Sequence, residues 1–138
     1  MYLVDTDVIS EARKKNRANK GVAAFFRTVA ADDTAVYLSA VTIGELRRGA
    51  EVIRYRGDRA RGDALDAWLT TIVAGYADNI LPLDAAVAQV WGSLRVPHPE
   101  NALDKQIAAR AMIHDLTLVT RNLKHFEGTG VNALNPFR

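Results

Sequence analysis

The chain opens with a short apolar run, Tyr2-Leu3-Val4, that passes without a spacer into Asp5-Thr6-Asp7. An apolar run with no alternation suits a strand buried on both faces, as in a parallel sheet covered by helices. Two carboxylates at the end of such a strand stand at the carboxyl edge of the sheet, where open α/β folds bind ligands. This stretch sets both the fold class to look for and the edge at which to look for chemistry.

The rest of the chain has the pattern that such a sheet needs. A short helical turn follows Asp7, and Val22, Phe25, Phe26 and Val29 then recur at helical spacing. Ala35 to Leu38 reads as a second buried strand. Ser39 is placed to cap a helix whose core stripe is Ile43, Leu46, Ala50 and Ile53. Gly57 and Gly62 bracket an arginine-rich turn, and Leu65, Trp68, Leu69, Ile72 and Tyr76 mark another amphipathic helix. Ile80 to Leu83 reads as a third strand, although Pro82 is poorly suited to its middle. Asp84 can cap the helix bearing Val87, Val90, Trp91 and Leu94, which Pro97-His98-Pro99 ends. Asn101 opens a helix running to about Asp115, Leu116 to Thr120 is a fourth strand, and Val131 to Leu134 is a short edge strand.

Strands alternating with helices predict an α/β fold: a three-layer sandwich around a mainly parallel sheet of four to five strands. The 138 residues are read as one domain, 1–138, long enough for a real core. Having no cysteine, the chain has neither disulfides nor a thiolate metal site, which suits the cytosol. No apolar run approaches the roughly 20 residues of a membrane span.

Three further positions fall where strand ends and the following helices bring them towards Asp5. Glu45 shares its side of a helix with Val41 and Val52, so that face is covered and its carboxylate needs a partner. Asp104 lies on the apolar face of Ile107, Ala108 and Ala111, where an unpaired carboxylate must find a cation or be protonated. Asn122 follows the fourth strand at the same edge, with an amide oxygen to offer. Each also has a plainer role: Asp5 and Asp7 can start a helix, Glu45 can pair with Arg48, Asp104 can help begin its helix, and Asn122 can serve a turn. Converging carboxylates repel one another, and a hard divalent cation removes that conflict. Oxygen donors suit Mg²⁺ or Mn²⁺.

The positive charge lies next to these acids. Arg13, Lys14, Lys15, Arg17 and Lys20 follow the first acidic pair, and Arg47, Arg48, Arg54, Arg56, Arg59 and Arg61 follow Glu45. Together they make eleven of the 18 lysines and arginines. A net charge of +2 says little about partners, but this placement favours a polyanion. Arg13, Lys14, Arg47, Arg48 and Arg54 are the candidate contacts.

Taken in order, Leu3-Val4-Asp5-Thr6-Asp7, Ser39-Ala40-Val41-Thr42-Ile43-Gly44-Glu45-Leu46, Asp104-Lys105-Gln106-Ile107-Ala108-Ala109 and Leu118-Val119-Thr120-Arg121-Asn122 resemble a PIN domain. More narrowly, the chain is similar to VapC/FitB-type toxins of type II toxin–antitoxin pairs, down to its Leu134-Asn135-Pro136-Phe137 ending. The resemblance implies a Mg²⁺- or Mn²⁺-dependent endoribonuclease that hydrolyses RNA phosphodiester bonds. It implies inhibition by a small cognate antitoxin whose tail enters the active-site groove, a homodimer, and larger toxin–antitoxin assemblies. Asp5, Glu45 and Asp104 match the three main metal-binding acids, with Asn122 assisting and Asp7 and Thr120 orienting ligands from behind. Family members often carry an aspartate at the position of Asn122, of His125, or of both, and here neither is acidic.

Two other readings stay open on the residues alone. Asp-x-Asp after a first strand is also used by haloacid-dehalogenase-type phosphatases, with Asp5 as nucleophile and Asp7 as general acid. The absence of a fourth acid also leaves room for a module that binds RNA or an antitoxin without cutting.

Overall fold

A computed structural model describes every residue from Met1 to Arg138. Strand β1 (Tyr2–Val4) is the centre of a five-stranded sheet in the order β3-β2-β1-β4-β5, with every pairing parallel. Its neighbours are β2 (Val36–Ser39) and β4 (Thr117–Val119), and the edges are β3 (Ile80–Leu81) and β5 (Ala133–Leu134). Six α-helices complete the fold: α1 (Thr6–Ala12), α2 (Lys20–Ala31), α3 (Ala40–Tyr55), α4 (Arg59–Gly75), α5 (Ala85–Leu94) and α6 (Ala102–Ile113). This is the α/β sandwich expected from the sequence. No helix is long and apolar enough to cross a membrane.

Side-chain alternation along β1 divides the core into two layers. Leu3, opposite Leu118 in register, packs with Ile107, Ala108 and Ala111 of α6. Val4, opposite Val119, packs on the other face with Val8 and Ile9 of α1 and Val22 of α2. Ile43 and Leu46 of α3 and Trp68 and Ile72 of α4 close that second layer. Both layers meet residues of the same three-residue strand, so β1 is fixed from both sides.

Several boundaries differ from the sequence reading: β4 is Thr117–Val119 and not Leu116 to Thr120, and β5 is only Ala133–Leu134 and not Val131 to Leu134. The second strand is shifted by one residue and ends on Ser39, whose hydroxyl then caps α3 by accepting from the Val41 N–H at 3.1 Å. The third strand stops at Leu81 because Pro82 has no N–H to give to a ladder. Gly62 is not part of the arginine-rich turn. It lies inside α4, where a Cβ would stand 2.3 Å from Arg54 Cγ, so its missing side chain lets α3 and α4 approach. Gly57, at φ +96°, makes the turn by itself.

The most costly side chain to bury is Arg110 of α6, which is 0% exposed. Its Nε donates to the carbonyls of Leu81 and Pro82 at 3.1 and 3.2 Å, and its Nη1 to that of Gln106 at 3.0 Å. The first two carbonyls belong to the end of β3 and the segment beyond it, where proline has stopped the ladder. Burial lowers the guanidinium pKa, yet the three acceptors hold the charged form in place. Replacing it by methionine, Arg110→Met, should strand these carbonyls and cost about 3 kcal/mol. Urea denaturation would show a lower midpoint at an unchanged slope, and a loss below about 1 kcal/mol would mean that water serves the carbonyls equally well.

Candidate active site

Asp5 is 4% exposed and performs three local tasks at the end of β1. Its backbone N–H donates to the Val119 carbonyl at 2.8 Å, extending the ladder to β4. Its Oδ1 accepts from the Thr6 N–H at 2.8 Å and so caps α1. Its Oδ2 accepts from the hydroxyl of fully buried Thr120 at 2.7 Å. Burial outweighs both hydrogen bonds, and with the nearby charges of Asp104 and Asp7 it lifts the carboxyl from its ordinary 3.8 to about 6.

Glu45 is half-buried on α3 and is not paired with Arg48. Its Oε1 accepts from the Thr6 hydroxyl at 2.8 Å, and Thr42 stands 3.1 Å from the same hydroxyl. Its pKa is also raised, chiefly by burial and further by Asp104 and Asp7. Asp104, in the first turn of α6, is half-buried, and its Oδ2 lies 2.7 Å from Nδ1 of His125. The Asn122 Nδ2 donates to Asp7 Oδ2 at 2.6 Å, turning the amide nitrogen rather than the expected oxygen towards the acids.

Asp5, Asp7, Glu45 and Asp104 therefore come to one sheet edge, each feeling or exerting the charge of others, and no lysine or arginine pairs with any of them. The donors are hard oxygens of the kind Mg²⁺ or Mn²⁺ prefers, and the raised carboxyls mark a charge deficit that a cation would relieve. Their chemistry fits such an ion. As the side chains stand, no group of three Asp, Glu or His is disposed to hold one.

Sequence reasoning missed Thr6 as the support of Glu45 and His125 as the partner of Asp104. Thr6 was open to discovery, since it lies between the two acids that start α1. The resemblance already put the position of His125 among the acids, but its contact with Asp104 depends on how the turn after β4 folds over α6.

Beside the acids lies a cavity of about 320 Å³ between α1, α3 and α4. Thr6, Glu45, Arg13 and Arg48 line it together with apolar residues that include Leu65 and Trp68. Arg13 stacks 6.0 Å over the Trp68 ring. Of the other basic candidates, Lys14 pairs with Glu11 at 2.8 Å. Arg47 and Arg54 are held by acids: Arg47 meets Asp66 at 2.7 Å, and Arg54 meets Glu51, Asp63 and Asp66 at 2.8–2.9 Å. They are seven residues apart, hence on one face of α3, and that face looks onto α4. The role expected of them as free cations gives way to clasping two helices.

Comparison with known proteins identifies the family to which this fold belongs. The PIN domain family model matches residues 2–130, and the chain belongs to this family. It is similar to Toxin FitB of Neisseria gonorrhoeae, 34% identical over 142 residues that span 99% of each protein. It is also similar to VapC ribonuclease Y4jK of Sinorhizobium fredii, 28% identical over 148 residues, covering 99% of this chain and 98% of that one. Among solved structures, FitAB bound to an IR36 DNA fragment matches with a TM-score of 0.85 at 32% identity, covering 100% of this chain and 96% of that one.

The raised Asp5 carboxyl has a consequence for stability. A group whose pKa is higher in the folded than in the unfolded chain favours folding when protonated. That contribution is complete below pH 3.8 and is lost as pH rises through about 6. Between those values, in buffer free of divalent ions, the chain should lose on the order of 2–3 kcal/mol relative to Asp5→Asn. Parallel denaturation curves for the two proteins that keep a constant gap across this range would contradict the burial of the charge.

Proposed function

We propose that the chain is the toxin of a type II toxin–antitoxin pair and cuts RNA as a divalent-metal-dependent endoribonuclease. The observation that carries this reading is the buried, cation-poor Asp5 carboxylate at the end of the central strand, with Asp104 and Asp7 acting both on it and on Glu45. The PIN family match and the ribonuclease and toxin names of its relatives support it.

Asp5, Glu45 and Asp104 would hold Mg²⁺ or Mn²⁺, with Asn122 beside them. When bound, such an ion supplies positive charge at the phosphate and a water acidic enough to attack in line. Thr120 fixes the rotamer of Asp5, and Thr6 fixes that of Glu45, from behind the carboxylates. Asn122 holds Asp7 at the rim in the same way. Arg13 and Arg48, lining the groove with Glu45, neutralise phosphates along the bound strand. Hydrolysis leaves 5′-phosphate and 3′-hydroxyl ends.

The half-apolar groove also suits the tail of a small antitoxin, whose occupancy would exclude RNA. A toxin–antitoxin complex bound to DNA is known for the FitAB relative. In this pair the antitoxin would supply the DNA contact, and the toxin would act as a homodimer within a larger assembly.

An Asp-x-Asp phosphatase does not suit the site, because Asp5 is nearly inaccessible and both its oxygens accept hydrogen bonds. A module that binds without cutting keeps one observation in its favour, the absence of a ready three-acid grouping. Cleavage assays separate the two. With Mg²⁺, purified protein should cut RNA, and Asp104→Asn should be slower by roughly a hundredfold, equivalent to about 3 kcal/mol of transition-state stabilisation. RNA held tightly but left intact by both proteins would favour the non-cutting module. Independently of turnover, Mg²⁺ should raise the melting temperature at pH 7.5, and Asp5→Asn should remove most of that rise.

A further inference from the structure

A second cavity, of about 510 Å³, is lined only by Arg13, Lys14, Arg17 and Arg61. Arg13 and Lys14 follow α1, Arg17 ends the short 3-10 turn after it, and Arg61 lies in the first turn of α4. Two segments distant in sequence thus point four cations at one space. Lys14 is partly neutralised by Glu11, but no acid pairs with Arg17 or Arg61, and both are exposed. Of the acids next to Arg61 in sequence, Asp58 is turned to cap α4 through the Arg61 N–H at 3.1 Å, and Asp63 pairs with Arg54 at 2.9 Å.

The contrast with Arg47 and Arg54 is informative. There the chain provides Glu51, Asp63 and Asp66, so it does balance arginines where their role is to join helices. Like charges gathered without such balance repel one another, and they are relieved by an anion with several acceptor oxygens. Because no apolar side chain lines this cavity, it offers a protein segment nothing to anchor on. The neighbouring groove, half apolar, does. Phosphate is the chemistry that fits.

Arg13 lines both cavities, so the cleft continues from the groove that contains Glu45. With a rise of about 1.5 Å per residue along α1, Arg13 stands about 12 Å from Asp5. That distance, with the reach of the arginine side chains, sets the cleft beyond the phosphate next to the acids. Resting on the ribonuclease reading, we infer that Arg13, Arg17 and Arg61 form a phosphate subsite that holds the RNA backbone away from the cleaved bond, at the far end of the groove. The subsite makes efficient binding depend on strand length and not on base identity.

The test uses the Asp104→Asn protein in buffer free of divalent ions, so that RNA stays intact, and fluorescein-labelled oligouridylates of increasing length over a range of KCl concentrations. Affinity should step up once the strand is long enough to reach the cleft. The added pair Arg17→Gln and Arg61→Gln should abolish the step, weaken long strands about tenfold, and make the log K against log salt slope shallower by about 1.4. As an equal-charge control, Lys20→Gln with Arg27→Gln alters another basic hollow that shares no residue with the groove, and should leave the step in place. An unchanged slope in the cleft variant, or an equal change in the control, overturns the subsite. So does polyglutamate competing as well as oligouridylate of equal charge, which would assign the cleft to an acidic protein surface. Cleavage by the unmodified chain is scored separately: its absence removes the ribonuclease reading, while the slope still decides whether the cleft holds phosphate.

Discussion

The burial of one carboxylate is the constraint from which the rest of this structure follows. Asp5 ends the central strand, starts the next helix and ties the strand to β4 through Thr120. A carboxylate in that position gains two good hydrogen bonds and still pays more in desolvation than they return, which is why its pKa climbs to about 6. Such a group persists only where the surrounding packing over-determines it. Leu3 and Val4, both 0% exposed, supply that packing through the two core layers on either face of β1.

The same constraint explains what was legible in the sequence. The continuous apolar run before Asp5 identifies a strand covered on both faces, and the alternation of similar runs with helical stripes identifies the sheet around it. Asp104 was legible as a problem, a charge on an apolar face, because burial can be read from helical spacing. Partners that come from turns could not be read that way. His125 reaches Asp104 only through the 3-10 turn Leu123–Phe126, a conformation that no periodicity reports. Strand ends were also blurred by a residue or so, since Ser39 closes β2 and caps α3 at once.

Charge was the least legible feature. A list of arginines shows where cations are, but their role depends on whether acids from another helix face them. Arg47 and Arg54 met theirs across α4, at positions 63 and 66, and became fasteners between two helices on an exposed surface. Solvent screens pairs of that kind, so they orient the helices more than they stabilise them. Removing them from the pool of free cations sharpens the contrast with Arg13, Arg17, Arg48 and Arg61, none of which forms an ion pair.

Short α1 brings these features together. Within its seven residues and caps, it carries Asp5 at its start, Thr6 beneath Glu45, Asp7 against Asn122, and Arg13 at its end. A shift of this helix would move acids, their supports and the shared arginine as one body. Val8 and Ile9 bury its inner side against β1 and α2, which opposes such a shift. The acids and the cationic groove thus keep a fixed spacing because one buried helix carries parts of both. For a chain that must place a long polyanion over a cluster of its own negative charges, that spacing separates attraction from repulsion along a single track. A more flexible connection between Asp7 and Arg13 would let the arginine fold back onto the acids and neutralise the site from within.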